Sequence, residues 1–133
     1  MSSLTRLRSD IWVDAYRRRV EIEGGYVTIR QRGAAEAGAI FLIVTNSRGG
    51  SRLYGPAPQS LYDEGATSRR FIALNAEDWD GLQVQTMLDK QRRFDPDLWL
   101  VDVDDRDGRH FLLDDEQSQT TQAAGTEPGL WRS

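Results

Sequence analysis

The chain predicts an α+β fold: a single domain in which two helices pack on a largely antiparallel sheet of about six strands, in the order α-β-β-β-β-α-β-β. Three observations carry this. Two segments, near residues 4–23 and 75–94, place apolar residues at helical spacing. Short β-branched and aromatic runs lie between and after them. Clusters of Gly, Asn and Pro separate those runs closely enough for hairpins. At 133 residues the chain suits one domain, and a domain of that size removes roughly two thirds of its unfolded surface from water, enough for a core without staples.

In the first helix Leu4, Leu7, Ile11, Ala15 and Ile22 form an apolar stripe that Trp12, Tyr16 and Val20 widen. Ser9-Asp10 supplies a cap and a first-turn acid, and Gly24 or Gly25 stops the helix by taking the left-handed conformation. "YVTIRQR" (26–32) alternates, with Val27 and Ile29 on one face, as in a half-buried strand. "AGAIFLIVTN" (37–46) is a continuous β-branched and aromatic run, the pattern of a strand covered on both faces. "NSRGGS" turns the chain, "RLYG" returns, and "RRFIALN" (69–75) is a fourth strand. The second helix is capped by Asn75 or Asp80, the latter forming a capping box with Gln83. It turns Val84, Met87, Leu88 and Gln91 inward and stops at Asp95-Pro96.

"DLWLVDVDDRDGRHFLLDD" reads as a hairpin. A three-residue loop with Gly108 left-handed sets Asp105 opposite Arg109, Asp104 opposite His110 and Val103 opposite Phe111. Trp99, Val101, Val103, Phe111 and Leu113 then share a core face, while Leu98, Leu100, Asp102, Asp104, His110 and Leu112 share the other. The domain is expected to span 1–115, with 116–133 a mobile polar tail.

Composition restricts function. Without cysteine there is neither a disulfide nor a thiolate metal site. No signal peptide or membrane span is legible, so the expectation is a cytoplasmic protein. Basic residues are sixteen Arg and one Lys, and the net charge of −4 is uneven: +4 over residues 1–75, −8 over 76–133. The acidic second half argues against wrapping a phosphate backbone, so nucleic acid is disfavoured as a partner.

Three stretches, "RLRSDIWVDAYRRR", "AGAIFLIV…LYGPAP" and "QRRFDPDLWLVDVDDRDGRHFL" (91–112), resemble a family of small bacterial proteins, mostly alphaproteobacterial, known as domain of unknown function 1491. The likeness spans residues 6 to 113. It implies a single domain of a family without an established activity, and so transfers no catalytic residue.

The charged motifs have bland explanations. Arg17, Arg18 and Arg19 fan around a helix and form no dense stripe. Lys90, Arg92 and Arg93 suit a helix C-terminus, with Asp95 and Asp97 just beyond. An arginine turned back over Trp99 would create a stacking surface. "DVDDRDG" is no calcium loop: counted from Asp102, the fifth, sixth and twelfth positions hold Arg106, Asp107 and Leu113. Asp102 and Asp104 on one strand face make at most a weak magnesium site. A nuclease site would need a lysine on a strand, and Lys90 is in a helix. No phosphate loop, nucleophile elbow or zinc spacing occurs, and no cofactor is implied.

The sequence thus points to a non-catalytic binding module with a protein partner. Its candidate surface is the stiff "YGPAPQSLY" loop (Tyr54, Gly55, Pro56, Pro58, Gln59, Tyr62) together with Arg92, Arg93 and Trp99 at the exit of the second helix. Gly55 is read there as a hinge. One alternative is a small-molecule enzyme using Asp104 and His110 as an acid–base pair, with the His110 pKa raised by the carboxylate. The other is a weak nucleic-acid binder whose first helix continues into Arg30, Arg32 and Arg52.

Overall fold

A computed structural model of the chain describes residues 7–58 and 69–118. The first helix, α1, spans Ser9–Ile22. Its start is secured by the neighbouring loop, for Arg8 at the N-cap makes no side-chain capping bond. The free N–H groups of Ser9 and Asp10 donate to the carbonyls of Glu36 and Ala35, which satisfies donors that a side chain would otherwise cap. The buried Ser9 hydroxyl donates to Gly38 O at 2.7 Å. At the other end Gly24 has φ +95°, and Gly24 and Gly25 donate to Glu21 O and Val20 O, the paired bonds of a Schellman stop.

Five strands follow: β1 Tyr26–Gln31, β2 Ile40–Thr45, β3 Ser51–Pro56, β4 Phe71–Ala73 and, after helix α2 (Gly81–Phe94), β5 Trp99–Asp104. Their spatial order is β1-β5-β2-β3-β4. β5 is antiparallel to β1 and parallel to β2, while β2-β3 and β3-β4 are antiparallel. The fold is α+β in a single domain, as expected, but the sheet is mixed and has five strands. The expected last hairpin does not form. β5 sits between β1 and β2, so neither of its edges is open to a returning strand.

The turn chemistry of that hairpin nevertheless survives. Gly108 has φ +74°, and the buried Asp105 carboxylate accepts bonds from the backbone and guanidinium of Arg109. Residues 109–118 then run over α1 as a strap. A single 3-10 turn, Asp114–Glu116, ends it, and Ser118 donates to Phe71 O. Residues 116–118, assigned to a free tail from the sequence, are therefore docked.

The helices lie on opposite faces. α1 covers Val27, Ile40, Leu42, Val44, Trp99, Val101 and Val103; α2 covers Phe41, Ile43, Leu53, Leu98 and Leu100. This two-sided burial explains the unbroken apolar run of β2. The stripe of α1 that meets the sheet is Trp12, Val13, Tyr16 and Val20, whereas Ile11 and Ile22 are 46% and 77% exposed. The sequence stripe was led by the aliphatic residues. The aromatic one is buried because a Trp and a Tyr remove far more apolar area from water. Leu4 lies outside the described residues.

Candidate functional site

The residues expected to form one surface are divided by the sheet. Tyr54, Gly55 and Pro56 belong to strand β3. Pro56 is exposed at its end and Pro58 is exposed just beyond, while Gln59 and Tyr62 lie outside the described residues. Gly55 is no hinge. It is buried in mid-strand, where an added Cβ would come within 2.8 Å of the Phe41 ring. Tyr54 turns to the α1 side, its half-buried ring meeting the edge of His110 at 5.2 Å, and burial pushes its phenol pKa up.

Trp99 also faces α1, only 1% exposed, with its indole N–H donated to Ala34 O at 2.8 Å. An arginine does lie over its ring, but it is Arg32, 4.9 Å from the centroid. Arg92 and Arg93 belong to α2, on the other side of the sheet. Arg92 pairs with Asp89 at 2.7 Å, and Gln85 and Arg92 together hold the Asp89 carboxyl below its ordinary range.

Asp104 and His110 do not meet. Strand alternation turns Asp104 to the α2 side, since Val101 and Val103 face α1. His110 sits in the strap on the α1 side. Its Nδ1 accepts the Leu112 N–H at 2.9 Å, and its carbonyl accepts the Tyr16 hydroxyl at 2.6 Å. Burial lowers its pKa below the ordinary value, the reverse of the expected rise, because no carboxylate is paired with it to oppose desolvation.

The cationic face required for nucleic acid is interrupted. By alternation Arg30 falls on the α2 side and Arg52 on the α1 side, and they pair with Asp102 and Asp78, each at 2.9 Å. Arg17 lies 3.5 Å from Glu21 and Arg19 pairs with Glu116. Among the described residues no cluster of His, Asp and Glu could hold a metal ion, and no helix is long and apolar enough to cross a membrane.

One concave feature was not anticipated. Trp79, Leu82, Gln83, Thr86, Met87 and Lys90 line an open, largely apolar groove of about 440 Å³ on α2. Trp79 is pinned as its floor by exchanging two backbone bonds with Ser51, each 2.9 Å. The capping box at Asp80, closed by Gln83 in both directions, starts the helix just after it. The signal in the sequence was the pair Trp79 and Leu82, two large apolar residues flanking a cap and outside the inward pattern of α2. At roughly 100° per residue, Gln83, Met87, Lys90 and Phe94 continue one line down the helix, ending in a phenylalanine that is 78% exposed.

The comparisons agree with this architecture. A family model described as a protein of unknown function (DUF1491) matches residues 7–113. A crystal structure of a DUF1491 family protein from Caulobacter crescentus is 33% identical with a TM-score of 0.70, covering 86% of this chain and 98% of that one. A solution structure from A. tumefaciens is 39% identical with a TM-score of 0.67, covering 76% and 87%. An NMR structure of a DUF1491 family protein from Caulobacter crescentus is 34% identical with a TM-score of 0.67, covering 80% and 92%. No curated protein matches the chain. With its model matched over nearly all the described residues and its fold shared with these structures, the chain belongs to the DUF1491 family.

Proposed function

We propose that the chain is a non-catalytic binding module that seats an apolar side chain of a protein partner in the α2 groove, next to an acidic residue of that partner. The groove itself carries the reading: apolar walls from Trp79, Leu82 and Met87, open to solvent, with Leu82 76% exposed. Exposed apolar concavities of this kind are costly to leave in water and suit anchor residues. The partner's charge follows from Lys90 within the groove and Arg93 on the next turn. The acid–base alternative lacks its pair, and the cationic alternative lacks a continuous face.

Selection from a random-peptide display library tests this. Enriched peptides are expected to place a large apolar residue beside Asp or Glu, and to shift the Trp79 indole and the Leu82 and Met87 amide signals in a ¹⁵N spectrum. Leu82→Asp should abolish binding without changing the melting midpoint. Absence of enrichment, or shifts clustered elsewhere, would refute the reading.

A further inference from the structure

α1 carries a second apolar line, turned away from the sheet. Ile11, Ala15, Arg18 and Ile22 succeed one another at spacings of four, three and four, which at ~100° per residue confines them to a narrow arc. All four are exposed, and the Trp12–Tyr16–Val20 stripe lies on the other side of the helix. Four-three-four spacing is the seam of a two-helix coil. We propose that this face packs antiparallel on the same face of a second copy of the chain, forming a two-fold symmetric dimer.

The line is complementary to itself. With the two-fold axis passing between Tyr16 and Arg17, Ile11 of one helix lies over Ile22 of the other. Ala15 then lies opposite Arg18. The small Ala15 leaves room for the apolar stem of the facing arginine, whose guanidinium emerges at the edge of the seam. Asp14 stands at that edge. Among the described residues neither Asp14 nor Arg18 takes part in an ion pair within one chain, while the other acids of that flank, Asp10 and Glu21, are held by Arg8 at 3.2 Å and Arg17 at 3.5 Å. Antiparallel packing satisfies both charges twice, once on each side of the axis.

The size of the contact sets its strength. α1 has 14 residues, about 21 Å of helix, which is short of the area that permanent dimers bury. Each protomer closes its own core on both sheet faces, so the subunit folds alone and the dimer dissociates on dilution.

Sedimentation equilibrium of the full chain from about 10 μM to about 1 mM spans the range for a contact of this size. The expected mass rises with concentration from the 15.1 kDa of one chain toward twice that. Asp14→Arg and Arg18→Asp each place like charges against each other twice, and each should remain at the single-chain mass throughout. An equimolar mixture of the two variants restores opposite charges at both positions and should associate again. Far-ultraviolet dichroism and thermal melts should match the parent, since both side chains are exposed. A parent chain that stays at one mass at the highest concentration would overturn the dimer. So would association that either single variant leaves unchanged, or a mixture that fails to associate.

Discussion

The indole N–H of Trp12 donates to the carboxylate of Glu116 at 3.1 Å, joining residues 104 positions apart in the chain. The same carboxylate accepts two bonds from Arg19, at 2.8 and 3.2 Å, and the Leu113 N–H at 2.9 Å. One acid thereby ties the strap to two turns of α1. Glu116 is buried and Arg19 a quarter exposed, so solvent screens the pair only in part. Glu116→Ala would leave the indole and guanidinium without their acceptor, and should cost about 2–3 kcal/mol in a urea titration. A chain ending at Ser118 keeps these bonds. One ending at Leu113 also loses the Ser118–Phe71 bond and should lose at least as much as the substitution.

Acid should weaken the fold in two steps. His110 has its pKa lowered from 6.5 by burial against Tyr54 and the Tyr16 face of α1. The unfolded chain therefore binds the proton first. Stability is whole above about 6.5 and falls as pH drops from there, levelling once the folded pKa is passed. Protonation at Nδ1 also breaks the Leu112 N–H bond. Asp105 has its pKa lowered from 3.8, first by the Arg109 side chain. Its contribution is present above 3.8 and is lost as pH falls through the folded value. Denaturation midpoints against pH should show both steps, and His110→Gln should remove the upper one alone. An upper step that survives the substitution would rule out His110 as its source.

Two residues compete in the sequence to cap α2, and their substitutions should separate them. Asp80 holds the capping box, an exposed device whose loss in Asp80→Ala should cost about 1 kcal/mol. Asn75 caps nothing. It is buried, accepts the Leu53 N–H and donates to Ser51 O and Glu77 O, substituting for a strand neighbour where β4 has ended. Asn75→Ala leaves those backbone groups unsatisfied and should cost about 2–3 kcal/mol. Equal costs by chemical denaturation would contradict this assignment.

Local chemistry was legible and long-range pairing was not. The capping box at Asp80, the helix stop at Gly24, the left-handed Gly108 and the Asp105–Arg109 pair all follow from neighbours within a few residues. The place of β5 does not, because a strand of alternating and apolar residues can pair with any open edge. Entering between β1 and β2, it removed the hairpin partner on which the Asp104–His110 pair depended. Two apolar stripes on α1 were likewise read as one, since periodicity reports spacing but not which arc the sheet covers. The α2 groove was missed because Trp79 and Leu82 flank the helix start, where neither fits the inward pattern.

Gly55 tests how tightly the α2 face is packed. Its missing side chain leaves space that the Phe41 ring fills: a Cβ there would stand 2.8 and 3.0 Å from two ring carbons and 3.3 Å from a Leu74 methyl. The ring is held in turn by Leu53, Leu98 and the buried face of α2, so it has little room to retreat. Gly55→Ala should therefore destabilise the fold by about 1–3 kcal/mol, although alanine suits a strand better than glycine. Phe41→Leu alone should also cost stability, because it leaves part of the ring's volume empty. In the double variant the smaller side chain vacates the space that the methyl needs, and the two losses should sum to less than their separate values. Additive losses in urea titrations would mean that the methyl and the ring never compete for that space.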